Sequence, residues 1–417
     1  MNQGNQDWTP ASVGFTSTRR VRRNAARRKH LVGLVVAAVL VVSTTPRAAP
    51  QVPGSDPKHN ILRHFGSPLP SWQSEDAGPW PRPTKFWRML CFGSDPSPTP
   101  DQAQQPFAEW LAALRQEAIA RGITAKTVEA VLSNVEPLAV VVERDRTQAE
   151  LTLTFDQYVK RRLTTAFVAT GRKMARQHKA LLRRVTAKYG VGGGTLVAIW
   201  GMESNYGRFS GTWPTIAALA TLAYDPHRPA LFRNELFAAL EILDRQEVRL
   251  DALKGSWAGA MGQPQFMPSS YLGYAVDFDG DGQRDIWTST GDVFASIASY
   301  LKEHGWTGGV RWGREVMVAD DAAAARLAGS VPLRVMGSCQ AIRQMTESRP
   351  IGDWRMLGVR QLDGKPLPGN SLDASLVRID ARTFLVYGNY EALLGYNCAH
   401  AYALSVGLLA DRIGGGN

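Results

Sequence analysis

The stretch TLVAIWGMESNYG, residues Thr195–Gly207, places one acidic residue inside an apolar helical pattern. The apolar positions that recur at helical spacing are Leu196, Ile199, Trp200 and Met202. Gly207 predicts the end of this helix, because glycine tolerates the left-handed backbone that ends helices. Glu203 then lies near the negative end of the helix dipole, and both this position and its apolar neighbours raise a carboxyl pKa. The stretch predicts a general acid, although a surface glutamate in a last helical turn is the commoner explanation of such spacing.

A loop that follows in the chain suits contact with a neutral polar ligand. Its sequence is GSWAGAMGQPQFMP, residues 255–268, which combines glycines, amides and aromatic side chains with few charges. Glycine lets a backbone approach a ligand closely. Ser256 and Gln265 can each donate and accept hydrogen bonds, as sugar hydroxyls and acetamides require. A structural loop that uses glycine for tight turns explains the pattern equally well.

A second loop carries the opening of an EF-hand pattern. DFDGDGQRD, residues 277–285, has acidic residues at positions 1, 3, 5 and 9 and glycine at position 6. In such loops carboxylates and one backbone carbonyl surround calcium. Position 12 is Thr288 rather than a bidentate glutamate, and Asp292 can replace it only through a longer loop. We expect one structural cation site with weaker or sodium-tolerant binding, and a cluster of Asx turns is the alternative.

Helices are predicted over residues 107–190, on the N-terminal side of this region. One apolar helical face starts at Phe107, and Thr124 caps a second helix. Basic runs, among them Lys160–Arg162 and Arg172–Lys173, predict a solvated helix face. Tyr158 precedes the first run and either lines a saccharide groove or is a buried aromatic side chain.

The first 106 residues are expected to lie outside the folded body. Residues 1–47 contain eight basic residues against Asp7 alone, which accounts for +7 of the net charge of +11. The apolar run Leu31–Val42 follows most of these basic residues, which is typical of an export signal or, if uncleaved, a membrane anchor. Residues 48–106 are rich in proline and predict a linker. The remaining +4 is a weak basis for a nucleic-acid partner, and we expect none.

The three cysteines, Cys91, Cys339 and Cys398, form no CxxC pair, so neither a metal cluster nor a redox motif is expected. In an oxidising compartment Cys339 and Cys398 can pair if they lie close enough. Two buried free thiols are an equally good alternative, and the sequence leaves the choice open.

The composition and the periodicity of the sequence change after residue 307. Residues 308–385 predict a small mixed α/β module, because short alternating segments lie among glycine, proline and aspartate residues. The segments with strand character are Glu315–Val318, Leu333–Val335, Leu376–Ile379 and Thr383–Gly388. The tail Tyr390–Ile413 returns to helical patterns.

Three long motifs resemble those of the lytic murein transglycosylases of the B type. In chain order they are IWGMESNYGRFSG, GSWAGAMGQPQFMPSSY and DFDGDGQRDIW, and FLVYGNY and AYALSVGLLADR extend the likeness toward the end of the chain. The resemblance implies a mainly α fold. Its parts would be an N-terminal helical segment over 107–190, a lysozyme-like catalytic core over 191–307, the mixed module over 308–385, and helices over 386–417 that close the groove. It also implies non-hydrolytic cleavage of the MurNAc–GlcNAc β-1,4 bond of peptidoglycan, with a 1,6-anhydro product.

The resemblance assigns roles residue by residue. Glu203 matches the single catalytic acid/base of the family. The groove residues that it implies are Tyr158, Ser256, Gln265, Tyr300, Tyr396, Asn397 and Tyr402. The calcium ligands that it implies are Asp277, Asp279, Asp281, the carbonyl of Gln283 and Asp292. Cys398 stands beside Asn397 where a small polar residue is expected.

Two other functions stay open at this point. A lysozyme-type hydrolase would use Glu203 and water, and Asp225 is the nearest candidate for its second carboxylate, although beside Pro226 it looks like a turn residue. A catalytically silent wall-binding protein is the second alternative. On either enzymatic hypothesis we expect an exported monomer in the periplasm of a Gram-negative bacterium, bound to peptidoglycan strands, with no catalytic cofactor. The N-terminal segment would be a cleaved signal or an inner-membrane anchor.

Overall fold

The computed structural model describes residues 105–146, 153–337, 339–369 and 372–414. The predicted export segment, Cys91 and all but the last two residues of the predicted linker lie outside these ranges. The described helices are α1 (Phe107–Ala120), α2 (Ala125–Leu132), α3 (Ala139–Arg146), α4 (Phe155–Arg162), α5 (Thr165–Gln177), α6 (Lys179–Tyr189), α7 (Gly193–Ser204), α8 (Thr215–Tyr224), α9 (Pro229–Asp244), α10 (Pro268–Tyr274), α11 (Thr290–Glu303), α12 (Asp321–Ser330), α13 (Gln340–Arg343), α14 (Ile351–Met356), α15 (Gly388–Tyr396) and α16 (His400–Gly414). The described strands are β1 (Trp213–Pro214), β2 (Lys254–Gly255), β3 (Gly313–Val318), β4 (Arg349–Pro350), β5 (Val359–Gln361), β6 (Asp373–Ile379) and β7 (Arg382–Val386).

Local sequence explains where several of the first helices begin and end. The hydroxyl of Thr124 accepts a hydrogen bond from the backbone N–H of Thr127 at the start of α2. Thr154 and Gln157 form a capping box at the start of α4. Gly190 ends α6 with a φ of 78°. The predicted helix from Phe107 and the predicted cap at Thr124 are confirmed.

Helix α7 lies at the centre of the helical part. Every residue from Thr195 to Ser204 is buried, because the segment is apolar on all sides and cannot present a face to water. It packs along α16 and also contacts α5, α6 and α11. The predicted end at Gly207 is wrong: the helix stops at Ser204, since Asn205 already has a left-handed φ of 52°.

A close approach of two chain segments fixes the start of the loop over residues 255–268. Strands β1 and β2 pair in antiparallel fashion, with Trp213 opposite Gly255. Gly211 has a φ of 94°, and a Cβ there would lie 2.1 Å from the carbonyl carbon of Gly255. Only a residue without a side chain fits at this crossing.

The mixed module is built on a five-stranded antiparallel sheet with strand order β4-β6-β7-β3-β5. Strands β3, β6 and β7 confirm three of the four segments that the sequence predicted. The fourth prediction, Leu333–Val335, is wrong. Leu333 makes one isolated bridge to Thr346, and Val335 is 85% exposed, because this segment runs along the outside of the module instead of pairing within the sheet.

The chain ends in two helices, α15 and α16, that bend by 117° at the break between them. Within the described ranges no single helix is long and apolar enough to cross a membrane. Only α15 and α16 counted together would have sufficient length and apolar composition. Most residues of both helices are buried in the protein.

The buried apolar side chains form two clusters. The larger one joins the helices around α7, and the smaller one fills the mixed module around Trp354 and Leu385. A disulfide connects Cys339, which precedes α13 in the module, to Cys398 between α15 and α16, with their Cα atoms 6.1 Å apart. The sequence left open whether Cys339 and Cys398 pair or stay free thiols, and the structure shows that they pair. The bond also explains why a cysteine follows Asn397.

Removing the disulfide is expected to destabilise the fold. The bond closes a loop over a sequence separation of 59 residues, and the chain entropy of such a loop corresponds to at most about 4 kcal/mol. We predict that the double variant Cys339→Ser/Cys398→Ser loses about 2–4 kcal/mol of unfolding free energy in urea titrations. Cys91→Ser is the control, and an equal loss in that variant would contradict the prediction.

Candidate active site

Glu203 lies in the last turn of α7 and is 7% exposed. Burial raises the pKa of its carboxyl from the ordinary 4.5 to about 7, against the opposing effects of a hydrogen bond from Tyr402 and the charge of Arg162. A carboxyl with this pKa is protonated in a large fraction of molecules at neutral pH. It can therefore donate a proton to a leaving group and take one back.

Tyr402, on α16, holds the carboxyl in place by donating a hydrogen bond from its hydroxyl to Oε1 of Glu203. Burial and the neighbouring carboxylate raise the pKa of Tyr402 well above 10, so the phenol keeps its proton at neutral pH. The resemblance placed Tyr402 in the groove, and the structure places it against the acid itself. Trp200 and Met202, the expected apolar neighbours, are both buried, and so is Tyr206.

The candidate second carboxylate, Asp225, is committed to other contacts. It is buried beyond the end of α8, pairs with Arg146 at 2.8 Å, and accepts the backbone N–H of His227 at 3.0 Å in an Asx turn. The neighbouring buried carboxylate, Asp145, is bound by the side chains of His227 and Arg228. The interpretation of Asp225 as a turn residue agrees with these contacts.

Tyrosine side chains surround Glu203 on the side of α11 and α15. The hydroxyl of Tyr396 donates to the carbonyl of Pro264 at 2.7 Å, and that of Tyr300 donates to the carbonyl of Gly395 at 2.7 Å. The rings of Tyr300 and Tyr396 lie 4.9 Å apart. Glu203 contributes to the raised pKa of Tyr396, which places the two groups within electrostatic range. The Tyr300 hydroxyl thus ties α11 to α15, and the Tyr396 hydroxyl ties α15 to the loop over residues 255–268.

Two further groove residues of the prediction lie near this group. Tyr158, on α4, is buried and contributes to the raised pKa of Tyr402. Asn397 is the C-terminal cap of α15 and is half-buried. Tyr158, Tyr396 and Tyr402 therefore converge on Glu203 although they come from three helices.

Ser256 and Gln265 lie in the loop over residues 255–268, where both support the loop itself. The hydroxyl oxygen of Ser256 accepts the backbone N–H of Ala260 at 3.1 Å. Gln265 has a φ of 53°, and its amide nitrogen donates to the carbonyl of Gly262 at 2.8 Å. In these bonds the hydroxyl oxygen of Ser256 is the acceptor and the amide nitrogen of Gln265 is the donor.

Glu235 anchors the end of this loop from inside the protein. It is fully buried on α9, and its two oxygens accept the backbone N–H of Ser269 at 2.9 Å and the hydroxyl of Ser269 at 2.7 Å. Burial raises the pKa of this carboxyl, and the two hydrogen bonds oppose the shift. Both oxygens of Glu235 are therefore occupied, whereas only Oε1 of Glu203 has a described partner.

Two residues that the sequence analysis did not place in the site support α7 directly. The side-chain oxygen of Gln263 accepts the indole N–H of Trp200 at 2.6 Å, and its nitrogen donates to the carbonyl of Trp287 at 2.7 Å. Arg162 donates to the carbonyl of Met202 at 3.0 Å and is half-buried, so its assignment to a solvated face is wrong. Spacing alone cannot separate Gln263 from Gln265 or Arg162 from its basic neighbours.

The acidic loop between α10 and α11 brings three carboxylates together. Oxygen atoms of Asp277, Asp279 and Asp292 lie within 4.8 Å of one another. Asp292 is in the first turn of α11, and its oxygens accept the backbone N–H groups of Phe278 and Asp285, both at 2.8 Å. Burial and the charges of the two other aspartates raise the pKa of Asp292. A bound cation would offset this repulsion, and the all-oxygen donor set suits calcium.

Two other aspartates of the loop, Asp281 of the predicted cation set and Asp285 outside it, accept backbone hydrogen bonds instead. Asp281 lies outside that group of three, and its carboxylate accepts the backbone N–H of Gln283 at 2.8 Å. Asp285, at position 9, accepts the backbone N–H groups of Trp287 and Thr288. Asx turns therefore occur in the same loop as the carboxylate group, so the two explanations of the motif are not exclusive.

The family model for the transglycosylase SLT domain matches residues 106–411. The chain belongs to this family. The resemblance that the motifs carried is confirmed by this match.

Individual relatives of this transglycosylase chain agree with the match. The membrane-bound lytic murein transglycosylase B of Escherichia coli (strain K12) is 34% identical over 263 residues, which cover 62% of this chain and 66% of that protein. SltB3 from Pseudomonas aeruginosa, solved with NAG-anhNAM-pentapeptide, is 42% identical with a TM-score of 0.67, over 75% of this chain and 80% of that chain. The Escherichia coli transglycosylase Slt35, solved with calcium, is 28% identical with a TM-score of 0.60, over 75% and 94%.

These likenesses confirm two further predictions. The fold is mainly helical with a small sheet module, and its neighbours are lytic transglycosylases with a lysozyme-like core. The relatives are lyase-type enzymes that act on peptidoglycan, so the chain belongs to an enzyme family.

The raised pKa of Glu203 makes the stability of the fold depend on pH. Because the folded value of about 7 exceeds the ordinary 4.5, the contribution of Glu203 is full below pH 4.5 and is lost as pH rises through 7. We predict that wild type loses about 3 kcal/mol of unfolding free energy between these values relative to Glu203→Gln, which does not titrate. Urea titrations at both pH values measure the difference, and parallel pH profiles of the two proteins would sink the idea.

Proposed function

We propose that this protein is a lytic transglycosylase that cleaves the MurNAc–GlcNAc β-1,4 bond of peptidoglycan without water and leaves 1,6-anhydroMurNAc ends. One observation carries the proposal: Glu203 is the buried carboxyl with a single described partner, a neutral phenol. The other buried carboxyls of the described ranges are occupied by protein donors, and they are Asp145, Asp225, Glu235 and Asp292. A site with one available carboxyl suits intramolecular attack better than the paired carboxylates of glycosidases.

The chemistry that we propose needs one proton and one carboxyl. Protonated Glu203 gives its proton to the glycosidic oxygen while the bond between C1 of MurNAc and that oxygen breaks. The acetamide of the substrate stabilises the positive charge at C1. The resulting carboxylate then removes the proton of the C6 hydroxyl as that oxygen bonds to C1. Glu203 ends the cycle protonated, so no cofactor is consumed.

The groove around this centre would be lined by the residues that the resemblance implies. Tyr402 would orient Glu203 by its hydrogen bond to Oε1, which leaves the second oxygen for the substrate. Tyr158, Tyr396 and Asn397 would contact the glycan from the α4 and α15 side. Ser256 accepts a hydrogen bond from the protein and would donate its hydroxyl proton to the glycan. Gln265 donates a hydrogen bond to the protein and would accept one from the glycan at its amide oxygen.

The anhydro product receives support from a relative. SltB3 has been solved with NAG-anhNAM-pentapeptide and with NAG-NAM-pentapeptide, which correspond in chemistry to a product and to a reducing-end sugar. A lysozyme-type hydrolase would need a second carboxylate or a held water, and Asp225 is paired with Arg146 instead. A silent wall-binding protein would have no use for a buried acid with a pKa of about 7.

Glu203→Gln should abolish cleavage because glutamine can neither give nor take the proton. We expect a loss of at least about 100-fold in product formation from purified sacculi. Mass spectrometry of the wild-type digest should show muropeptides one water lighter than the reducing-end forms. Asp225→Asn is the matched control and should keep the activity of wild type.

Other patterns of products would reject the proposal in distinct ways. Reducing-end muropeptides from wild type would indicate a hydrolase. If wild type, Glu203→Gln and Asp225→Asn all release no muropeptides, the protein would be a binding protein.

We further propose that the acidic loop holds one structural cation, calcium or more weakly sodium, without a part in catalysis. Asp277, Asp279 and Asp292 would supply carboxylate oxygens, and the family resemblance adds Asp281 and the carbonyl of Gln283. The Slt35 relative has been solved in complex with calcium. The short span from the loop to Trp287, which Gln263 contacts, would let the cation steady the support of α7.

Asp279→Ala should lower thermal stability more than turnover per folded molecule. Calcium should raise the melting temperature of wild type and not that of Asp279→Ala, as measured by calorimetry with and without chelator. Asp251→Ala, an exposed aspartate elsewhere, should keep the calcium response. Unchanged melting with lost turnover would assign the loop a catalytic role instead.

The location of the enzyme follows from the same assignment. We propose export to the periplasm of a Gram-negative bacterium, with membrane association through the N-terminal segment. Its relative in Escherichia coli is named membrane-bound. We expect the protein to act as a monomer on peptidoglycan strands, and no nucleic acid partner is part of the proposal.

A further inference from the structure

The positive charge of the folded body is concentrated on two consecutive helices. Residues 165–189, which span α5 and α6, contain seven lysine and arginine residues and neither aspartate nor glutamate. Residues 105–417 have a net charge of only +4, so the remainder of this part of the chain is negative. The charge is therefore segregated instead of being mixed over the surface, as it is on most soluble domains.

The cations of α5 and α6 are exposed to solvent. Val168, Gly171, Leu182 and Val185 are the buried residues of the two helices, and all seven cations are exposed. None of the ion pairs formed by the described residues includes any of them. Intramolecular pairing therefore does not account for this concentration of charge.

Two of the seven cations lie beside the acidic loop. The guanidinium of Arg184 is 5.1 Å from the ring centroid of Phe278, and the ammonium of Lys188 is 5.4 Å from it. Phe278 stands between Asp277 and Asp279 in the chain, which distinguishes these two cations from the other five. The remaining five form what we call the basic face: Arg172, Lys173, Arg176, Lys179 and Arg183.

We propose that the basic face adsorbs to the headgroups of an anionic phospholipid bilayer. Clusters of exposed lysine and arginine attract anionic lipid surfaces, and each cation adds about fivefold to the affinity. The inference goes beyond glycan cleavage and does not depend on it. It concerns how the folded body is oriented relative to a membrane while its groove faces the wall.

The distribution of the charges favours an extended surface over a small anion. The two helices are about 20 and 17 Å long at 1.5 Å per residue. The five cations lie along the adjoining halves of the two helices, between residues 172 and 183. A single carboxylate or phosphate would need donors that converge on one point with fixed geometry. Within the basic face only Arg172 has a described hydrogen bond, from Nε to the carbonyl of Arg412 at 2.8 Å.

The composition of the basic face argues against insertion into the bilayer. None of the exposed large apolar side chains of the described residues belongs to α5 or α6. Adsorption must therefore be electrostatic, and it should disappear at high ionic strength, where the screening length falls to about 3 Å at 1 M salt. Binding through an apolar segment would survive such salt, which separates the two kinds of attachment in one experiment.

The test labels lysines of the full-length protein in the presence of vesicles. Vesicles of phosphatidylcholine alone are compared with vesicles that also contain phosphatidylglycerol, and amine acetylation is followed residue by residue by mass spectrometry. Lys173 and Lys179 should be acetylated at least about fivefold more slowly with the anionic vesicles. Lys126, exposed on α2, is the internal control and should be acetylated at one rate throughout. The protection should vanish in about 1 M sodium chloride.

A charge-reversal pair tests the same face without touching the reporter lysines. Arg176→Glu/Arg183→Glu should remove the protection of Lys173 and Lys179. Arg249→Glu/Arg378→Glu reverses two exposed arginines elsewhere and should leave it intact. Circular dichroism establishes that both variants fold, and the lipid comparison on wild type stands even if one does not.

Three results would overturn the proposal. The first is equal acetylation of Lys173 and Lys179 with both kinds of vesicle. The second is protection that persists in high salt. The third is protection by soluble polyglutamate but not by anionic vesicles, which would assign the face to anionic peptides of the wall. Each readout is independent of glycan cleavage, so failure of the proposed enzymatic function would leave this result unaffected.

Discussion

The hydrogen bond from Tyr402 to Glu203 is the contact on which the rest of the site depends. It joins helices α7 and α16 across a sequence separation of 199 residues. A buried carboxyl without a partner is costly, and a buried salt bridge would lower its pKa and remove the acid. One neutral donor on one oxygen satisfies both constraints, since Glu203 stays partnered and keeps a pKa of about 7.

The surroundings of this bond are fixed by polar groups buried in other elements. Glu235 holds the end of the loop over residues 255–268 through Ser269, and Gln263 joins α7 to the segment after the acidic loop. The disulfide ties the turn between α15 and α16 to the mixed module. Each of these contacts fixes a loop or the first turn of a helix, where backbone N–H groups have no partner within regular structure.

Charge is distributed in this protein according to function. Glu203 lies where counter-charges are scarce, three carboxylates of the acidic loop lie together at the proposed cation site, and the cations of α5 and α6 face solvent. Such segregation costs little stability, since exposed ion pairs contribute about 0–1 kcal/mol each. The segregation instead provides the proposed anion-binding surface on α5 and α6, whose apolar sides pack against α7.

The sequence by itself determined the helical class, and it singled out Glu203 and the acidic loop as candidates, because these depend on local spacing. The apolar run around Glu203 predicted a helix with a carboxyl of raised pKa, and the positions of Asp277 and Asp279 predicted their approach. Only the tertiary structure decided that Tyr402 contacts the acid, that Gln263 rather than Gln265 supports α7, and that Leu333–Val335 forms no strand. The reason is physical: partners far apart in the chain meet through packing, and which amide or edge becomes buried depends on neighbours that a local pattern does not contain.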